Sequence, residues 1–283
     1  MAPDDKHKWE QFAERYPSTT SFNPAEGSPE RISAPTVWGF KSPTADENRP
    51  FTWLICEAKG TTHNVKRLAA GRMRTLLALL FSLWHPTDGD FFVIKSELGE
   101  HECALQFAAA GDRDEDSVSC GPIGRLMPSL PVNFSISPAA VNLVRDWHTR
   151  LYSAHEELQR RAVTASHFIH YGIMSDSLER FIHYYIALDA LFGERHKVEE
   201  NLRKGIEHLF PNDQLWAYRA EHLFDLRNAL VHGGTSSIDG WKDFDAYMRH
   251  AKTSPLEDVA NAAMTALRTY FASPPQFLTL SPP

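Results

Sequence analysis

The hydrophobic pattern changes along the chain from short apolar runs to helical periodicity. Runs rich in aromatic and β-branched residues predict strands at residues 37–40, 51–56, 91–94 and 103–107. Between about Asn64 and Trp84, apolar residues recur instead every three or four positions, which predicts a helix. Strands on both sides of one helix predict a small α/β or α+β domain.

From Ser137 onward the helical period replaces the strand pattern. Ser137-Pro138 has the serine N-cap and first-turn proline of a helix start. Residues 254–257 have the serine and glutamate of a capping box before the last apolar stretch. About five helices joined by short loops are predicted, at residues 137–171, 181–192, 198–210, 215–231 and 254–271. This pattern is typical of an all-α bundle.

The length of the chain agrees with a division into two domains. Its 283 residues exceed the roughly 100–200 residues of one ordinary domain. We therefore expect an α+β N-terminal domain followed by an all-α helical bundle. The predicted boundaries are a flexible arm at 1–35, the α+β domain at 36–136, the bundle at 137–272 and a tail at 273–283.

Composition narrows the classes of function. The chain has 29 Lys and Arg against 36 Asp and Glu, a formal charge of −7, which argues against a protein that coats nucleic acid through bulk attraction. A local basic groove remains compatible with that charge. The start has no apolar core of a secretory signal, and later apolar runs are interrupted by charge before membrane-spanning length. We expect a cytoplasmic protein without a membrane partner.

Metal and cofactor chemistry finds little support in the sequence. Cys56, Cys103 and Cys120 are odd in number and have no CxxC spacing, which argues against a disulfide framework or a cysteine-based zinc site. His167, His170 and His183 have helical spacing but no matching carboxylate or cysteine ligands, so we interpret them as surface or packed residues. Phosphate-loop, dinucleotide, zincin and serine-hydrolase motifs are absent. No metal and no cofactor are expected.

The stretch DLRNALVHGG, residues 225–234, holds the candidate chemistry. Arg227 lies next to the apolar stripe of its predicted helix, where an unpaired charge would cost several kcal/mol. Asp189 interrupts a strongly apolar helix and is the predicted partner of Arg227 across the bundle. A purely structural interpretation is also open, with Arg227 in an interior salt bridge and His232 stabilised by the C-terminal end of the helix dipole.

Arg227 and His232 do not share one face of a straight helix. Five residues at 3.6 per turn set them about 140° apart. They can address one ligand if the helix loosens at residues 232–234, or if two copies of the motif meet across a two-fold axis. Such an arrangement suits a phosphodiester, because arginine binds phosphate oxygens and histidine moves protons near neutral pH.

These residues resemble a known superfamily. The arrangement from Arg227-Asn228 to His232, followed by glycine, is similar to the Rx4–6H signature of the HEPN superfamily (higher eukaryotes and prokaryotes nucleotide-binding). The upstream IALDALFGE, residues 186–194, resembles the second helix of that superfamily, and LFDLRNALVHGG is particularly similar to its Apea-like branch. The resemblance covers about residues 137–271.

The resemblance implies a metal-independent endoribonuclease that acts as a homodimer, such as a toxin or antiviral defence effector with a regulatory or antitoxin partner. In that mechanism the 2′-hydroxyl of the RNA attacks the adjacent phosphorus. His232 would act as general acid or base, Arg227 would bind the phosphate, Asn228 would position one of them or the substrate, and Asp189 would orient Arg227. Two alternatives remain open, a non-catalytic HEPN module that binds RNA, nucleotide or a protein, and a structural helical domain.

Overall fold

The computed structural model describes residues 62–83, 103–108, 117–122, 137–194, 196–275 and 277. Its first elements are helix α1 (Thr62–Ser82) and strands β1 (Cys103–Ala108) and β2 (Ser117–Pro122). Seven further helices follow: α2 (Pro138–Ser153), α3 (Glu156–Met174), α4 (Ser177–Phe192), α5 (Val198–Leu209), α6 (Gln214–Val231), α7 (Phe244–Ala251) and α8 (Pro255–Thr269).

The prediction of an α+β N-terminal domain is wrong. The strands of the described residues form one two-stranded antiparallel ladder, with Leu105 opposite Cys120, and all other described elements are helices. A two-stranded ladder offers too little surface for a helix to cover as a core layer, so it does not make an α+β domain. The run at 103–107 is confirmed as a strand, whereas those at 37–40, 51–56 and 91–94 lie outside the described residues.

The chain divides into two compact units, and the boundary between them falls within α1, after Ala70. The first contains β1, β2 and the chain up to Ala70, and the second contains residues 71–95 and 127–283. In the second unit the later half of α1 is strongly buried, from Leu77 to Ser82. The arm at 1–35 and the greater part of the tail at 273–283 lie outside the described residues, so the four predicted boundaries stay predictions.

Helix α4 is the central element of the bundle. It packs against α3, α5 and α8, and its run from Tyr184 to Phe192 includes five residues with almost no exposed surface. The contact with α5 is close because Gly205 faces the ring of Phe192, where an added Cβ would overlap the ring carbons. Since the later half of α4 is largely buried, any polar side chain there must find a partner or line a cleft.

The structure divides one predicted helix into two and contains one helix that the sequence did not predict. The helix predicted from 137 to 171 is two helices, because the chain breaks at Ala154 and the ring of His155 accepts the backbone N–H of Glu157 as an N-cap. Helix α7 was not predicted, since it is only eight residues long and buries only Tyr247 and Ala251. The starts at Ser137 and at the Ser254 capping box are confirmed.

A buried polar network fixes α6 against α7 and α8. Arg219 of α6 lies 3.1 Å from Asp258 and donates a hydrogen bond to the carbonyl of Ala251 at 3.0 Å. Tyr247 and Thr253 donate their hydroxyls to the same carboxylate at 2.6 and 2.7 Å. The helix that bears residues 225–231 is therefore anchored by charge-assisted contacts as well as by its apolar face. Among the helices described, none is both long and apolar enough to cross a membrane.

Candidate functional site

Helix α6 carries the motif, and its local sequence explains its position. Asp213 caps its start by accepting the backbone N–H groups of Leu215 and Trp216 at 2.9 and 3.2 Å. The buried face then runs through Trp216, Ala220, Leu223 and Leu226. Arg227 follows Leu226 by one position, about 100° around the helix, so it emerges at the border of the buried face.

Arg227 is half-buried and is held by two neighbours. Its Nη1 donates a hydrogen bond to Oδ1 of Asn228 at 3.0 Å, and its Cζ lies 5.8 Å from the ring centre of Tyr185 on α4. Among the described residues, no carboxylate comes within 4.0 Å of its guanidinium. Most of its hydrogen-bond donors therefore remain available for an anion.

Asp189 interacts with Arg227 through its charge and not through a direct ion pair. Burial raises the pKa of Asp189, while the charges of Arg227 and Arg161 oppose that rise. The two side chains do not come within salt-bridge distance. The sequence predicts that Asp189 pairs with Arg227. In the structure the two groups are coupled by charge, but they do not form the predicted ion pair.

The space around Asp189 is shaped by Gly193 and Arg161. A Cβ at Gly193 would overlap the carboxylate of Asp189, so glycine makes room for it. Arg161 of α3 donates to the carbonyl of Gly193 at 2.8 Å and approaches those of Ala190 and Leu191, which neutralises the C-terminal end of α4. A cleft of about 320 Å³ opens beside Asp189, lined by Arg160, Arg161, Thr164, Ile186, Ala190, Gly193, Glu194 and Val198.

His232 lies at the C-cap of α6 and is exposed. Gly233 follows with φ of 77°, and the amides of Gly234 and Thr235 both bond the carbonyl of Ala229, at 2.6 and 3.2 Å. The bond from Gly234 to Ala229 is the six-to-one contact of a Schellman motif, which needs a left-handed residue such as Gly233. Within the described part of the chain, the imidazole of His232 has no hydrogen bond or ion pair.

The predicted residues form two groups within one chain. Arg227 and Asn228 are joined by a hydrogen bond, and Asp189 is coupled to Arg227 by charge. His232 makes no side-chain contact with Arg227 in the single chain, in agreement with their separation of about 140° around α6. One copy of the motif does not assemble Arg227 and His232 around a common atom.

Comparison with known proteins gives no assignment. No family model, no curated protein and no solved structure matches this chain. The activity of this chain must therefore be inferred from its own residues and their geometry.

Tyr185 is a site residue that the sequence reasoning missed. It is 3% exposed, and within the described residues its hydroxyl has no hydrogen-bond partner. Burial raises its pKa, and the neighbouring charge of Arg227 lowers it while those of Asp189 and Glu199 raise it. Tyr185 precedes Asp189 by four residues, so both share one face of α4, and this spacing is the signal that could have identified it.

The rings of the three histidines considered above all lie next to Tyr171, at 4.4 Å for His167, 6.3 Å for His170 and 5.6 Å for His183 between centroids. His170 is buried, whereas His167 and His183 are half-buried. In the regions that the structure describes, no three side chains of His, Cys, Asp or Glu are placed to hold a metal ion.

Proposed function

We propose that the protein is a metal-independent endoribonuclease that cleaves RNA as a homodimer, with Arg227, Asn228 and His232 in its active site. One observation carries the proposal. The Arg227 guanidinium is held by Asn228 and Tyr185, with no carboxylate of the described residues in ion-pair range, on the helix whose end exposes His232. The resemblance of residues 186–194 and 223–234 to HEPN segments supports the same assignment.

Arg227 has the properties of a phosphate ligand. Asn228 takes one of its hydrogen bonds and restricts its rotamer, which leaves the rest of the planar fork for phosphate oxygens. Because the group is half-buried, its interaction with a phosphate is less screened by water than that of an exposed arginine. Tyr185 and the charge of Asp189 support it from α4 and act as positioning residues.

His232 supplies proton transfer in this proposal. Its ring is exposed and has no competing intramolecular hydrogen bond among the described residues, so a substrate oxygen can reach it. Since one chain separates His232 from Arg227, a two-fold dimer is needed to complete the site, and it would gather two copies of each residue around one cleft.

The proposed reaction needs only proton transfers. One imidazole takes the proton of the 2′-hydroxyl as that oxygen attacks the adjacent phosphorus. The bond from phosphorus to the 5′-oxygen breaks, and a protonated imidazole gives its proton to the leaving oxygen. The products are a 2′,3′-cyclic phosphate and a 5′-hydroxyl. Arg227 stabilises the negative charge that builds up on the phosphoryl oxygens.

The test is cleavage of single-stranded RNA by the purified protein in the presence of EDTA. We expect cleavage with 2′,3′-cyclic ends, and a loss of at least about 100-fold in His232→Ala and Arg227→Ala. His196→Asn and Arg249→Ala are matched controls, since both residues are exposed and asparagine tolerates the positive φ of His196. Full activity in the two motif variants, or in a protein that stays monomeric, would overturn the assignment.

A second candidate function is a non-catalytic module that binds RNA, nucleotide or a protein partner. The observation that favours it is the lack of contact between Arg227 and His232 within one chain. In that case RNA would bind without cleavage, Arg227→Ala would weaken binding and His232→Ala would leave binding unchanged.

The biological setting of the nuclease belongs to the same proposal. The HEPN-like segments support a role as a toxin or antiviral defence effector. Such a role implies a regulatory or antitoxin partner, and a cytoplasmic location, where the RNA substrate is found. Expression of the wild-type chain in a bacterial host is expected to slow growth of the host. Expression of the His232→Ala chain is expected not to slow it. Equal growth inhibition by both chains would contradict this role.

A further inference from the structure

A second group of polar and aromatic side chains is formed by residues of α1, α3 and α4, outside the motif at residues 225–234. Tyr171 lies at its centre, with the ring of His167 at 4.4 Å and that of His183 at 5.6 Å between centroids. The guanidinium carbon of Arg74 lies 5.4 Å from the Tyr171 ring centre. We call Arg74, His167, Tyr171 and His183 the ring cluster. All four residues belong to the second compact unit.

Arg74 carries a charge that has no counter-ion among the described residues. Its Nε is buried and has no hydrogen-bond partner, and within the described residues no carboxylate lies in ion-pair range. The face of Tyr171 stabilises the cation only in part. A half-buried guanidinium with an unsatisfied N–H is a costly arrangement, and an anion that accepts hydrogen bonds would relieve the cost.

The two histidines of the ring cluster favour the neutral form. Burial, and then the charges of Arg74 and His183, lower the pKa of His167. Burial lowers the pKa of His183, although the charge of Glu179 opposes that effect. The cluster therefore holds one fixed positive charge and two imidazoles that can gain a proton when a negative charge arrives.

The tautomer of His183 follows from its contact with Ser175. The Ser175 hydroxyl donates its only hydrogen to the carbonyl of Tyr171 at 2.8 Å. Its 3.1 Å contact with Nδ1 of His183 must therefore be a bond in which Nδ1–H donates. In the neutral ring this leaves Nε2 as the unprotonated nitrogen, which becomes a donor once it takes up a proton.

We propose that the ring cluster is a phosphate-binding site, in which Arg74 pairs with the phosphate and His167 and His183 stabilise it by taking up protons. Tyr171 is 37% exposed, so the cluster is open to solvent and its hydroxyl can add a donor. On an ideal helix His183 and Tyr185 lie about 160° apart, so this site is on the opposite side of α4 from the candidate nuclease residues. It is thus separate from the proposed function.

The first experiment follows the histidine ring protons by NMR during a pH titration. Wild-type protein is titrated in inorganic phosphate and in chloride at equal ionic strength. We expect phosphate to raise the pKa of His167 by about one pH unit, since an opposite charge within contact distance favours the protonated imidazole. Glu179 affects His183 in both salts, and so cancels from the comparison. Identical titrations in the two salts would overturn the proposal.

Substitutions of Arg74 provide the specificity test. Arg74→Gln is expected to abolish the difference between phosphate and chloride, Arg74→Lys to retain part of it, and Arg249→Gln, at an exposed arginine, to leave it unchanged. Persistence of the full effect in a folded Arg74→Gln protein would contradict the assignment.

Two ligands determine the source of the phosphate, in a His232→Ala background that prevents cleavage. One is a single-stranded RNA oligonucleotide and the other is adenosine monophosphate. An Arg74-dependent shift of His167 with the oligonucleotide alone indicates the backbone of a strand, and a shift with the mononucleotide indicates a free nucleotide. No Arg74-dependent shift with either would overturn the proposal. Loss of RNA cleavage in His232→Ala with this site intact would separate the two proposals.

Discussion

Asn228 accepts a hydrogen bond at 3.0 Å from the guanidinium of Arg227, the residue that precedes it in α6. Neighbouring residues on a helix point about 100° apart, so the contact requires Arg227 to bend along the helix surface toward Asn228. The bond fixes the direction of a side chain that no carboxylate among the described residues holds. Asn228 is therefore a positioning residue for Arg227.

Replacement of Asn228 by alanine tests this role. We expect kcat for RNA cleavage to fall at least about tenfold, because a misplaced catalytic group can cost as much as about 100-fold. The free energy of unfolding should change by no more than about 1 kcal/mol, since one partly exposed hydrogen bond is lost. Asn142→Ala is the matched control, because Asn142 also accepts from an arginine, Arg145, on an exposed helix surface. Equal losses in both variants would contradict the prediction.

Gly193→Ala should destabilise the protein through Asp189. The new Cβ would overlap the Asp189 carboxylate and crowd its backbone carbonyl, so the carboxylate must move or the end of α4 must shift. Overpacking of this kind costs about 1–3 kcal/mol, measurable by urea unfolding. Gly71→Ala in α1 is the control. It meets no atom within 4 Å, and we expect it to stabilise by about 0.5–1 kcal/mol. An unchanged free energy of unfolding in Gly193→Ala would show that the Asp189 carboxylate can move without cost.

Gly233→Ala tests the end of α6 by backbone conformation alone. Gly233 has φ of 77° and open space around it, so the added methyl meets no neighbour and only the left-handed backbone is penalised. We expect a loss of about 1–2 kcal/mol in unfolding free energy. Gly233→Asn should lose less, because asparagine tolerates that region. If both variants were as stable as wild type, the Schellman end would not exist in solution.

Asp189→Asn should change how stability depends on pH. The folded chain raises the pKa of this carboxyl, so between the unfolded pKa, about 3.9, and the folded value the folded state binds more protons. Wild type therefore loses stability from Asp189 as the pH rises through that window, and the asparagine variant does not. Urea unfolding at pH 4 and pH 7 should show Asp189→Asn gaining on wild type at the higher pH. A constant difference would contradict the shift.

Arg227→Ala should raise the pKa of Asp189 further. The charge of Arg227 opposes the effect of burial, although the two groups do not form an ion pair, and its removal leaves Arg161 as the opposing charge. Carbon-13 NMR of the Asp189 carboxyl group during a pH titration measures this directly. Arg249→Ala, on the exposed surface of α7, is the control and should leave the titration unchanged. An unchanged midpoint in Arg227→Ala would mean that the two groups are not coupled.

Sequence patterns located features that depend on neighbours in the chain. The N-cap at Ser137, the capping box at Ser254 and the glycine end of α6 are all encoded within a few residues, and the structure has each of them. The break at Ala154 was missed because it contains no glycine or proline and is capped by an unusual residue, His155. The α+β prediction failed because apolar runs of strand-like composition do not by themselves establish partners in a sheet.

The sequence predicted which residues belong to the candidate site, but it did not predict the contacts between their side chains. Arg227, Asn228 and Asp189 do lie in one neighbourhood, but spacing could not show that Arg227 turns to Asn228 and Tyr185 instead of forming an ion pair with Asp189. That choice depends on rotamers and on the depth of Tyr185 within the bundle. Tyr185 and Arg74 are candidate functional residues because each has a buried polar atom without a hydrogen-bond partner. Such an atom can be recognised only after the helices have packed.

The double use of the Ala229 carbonyl, by the amides of Gly234 and Thr235, ties the end of α6 to its own last turn. The position of His232 is consequently set before the chain enters the connection to α7. Insertions or deletions after Thr235 can therefore accumulate, or be engineered, without displacing the histidine. This connection is where we would expect related chains to differ in length, and where a reporter group could be introduced at least cost to the site.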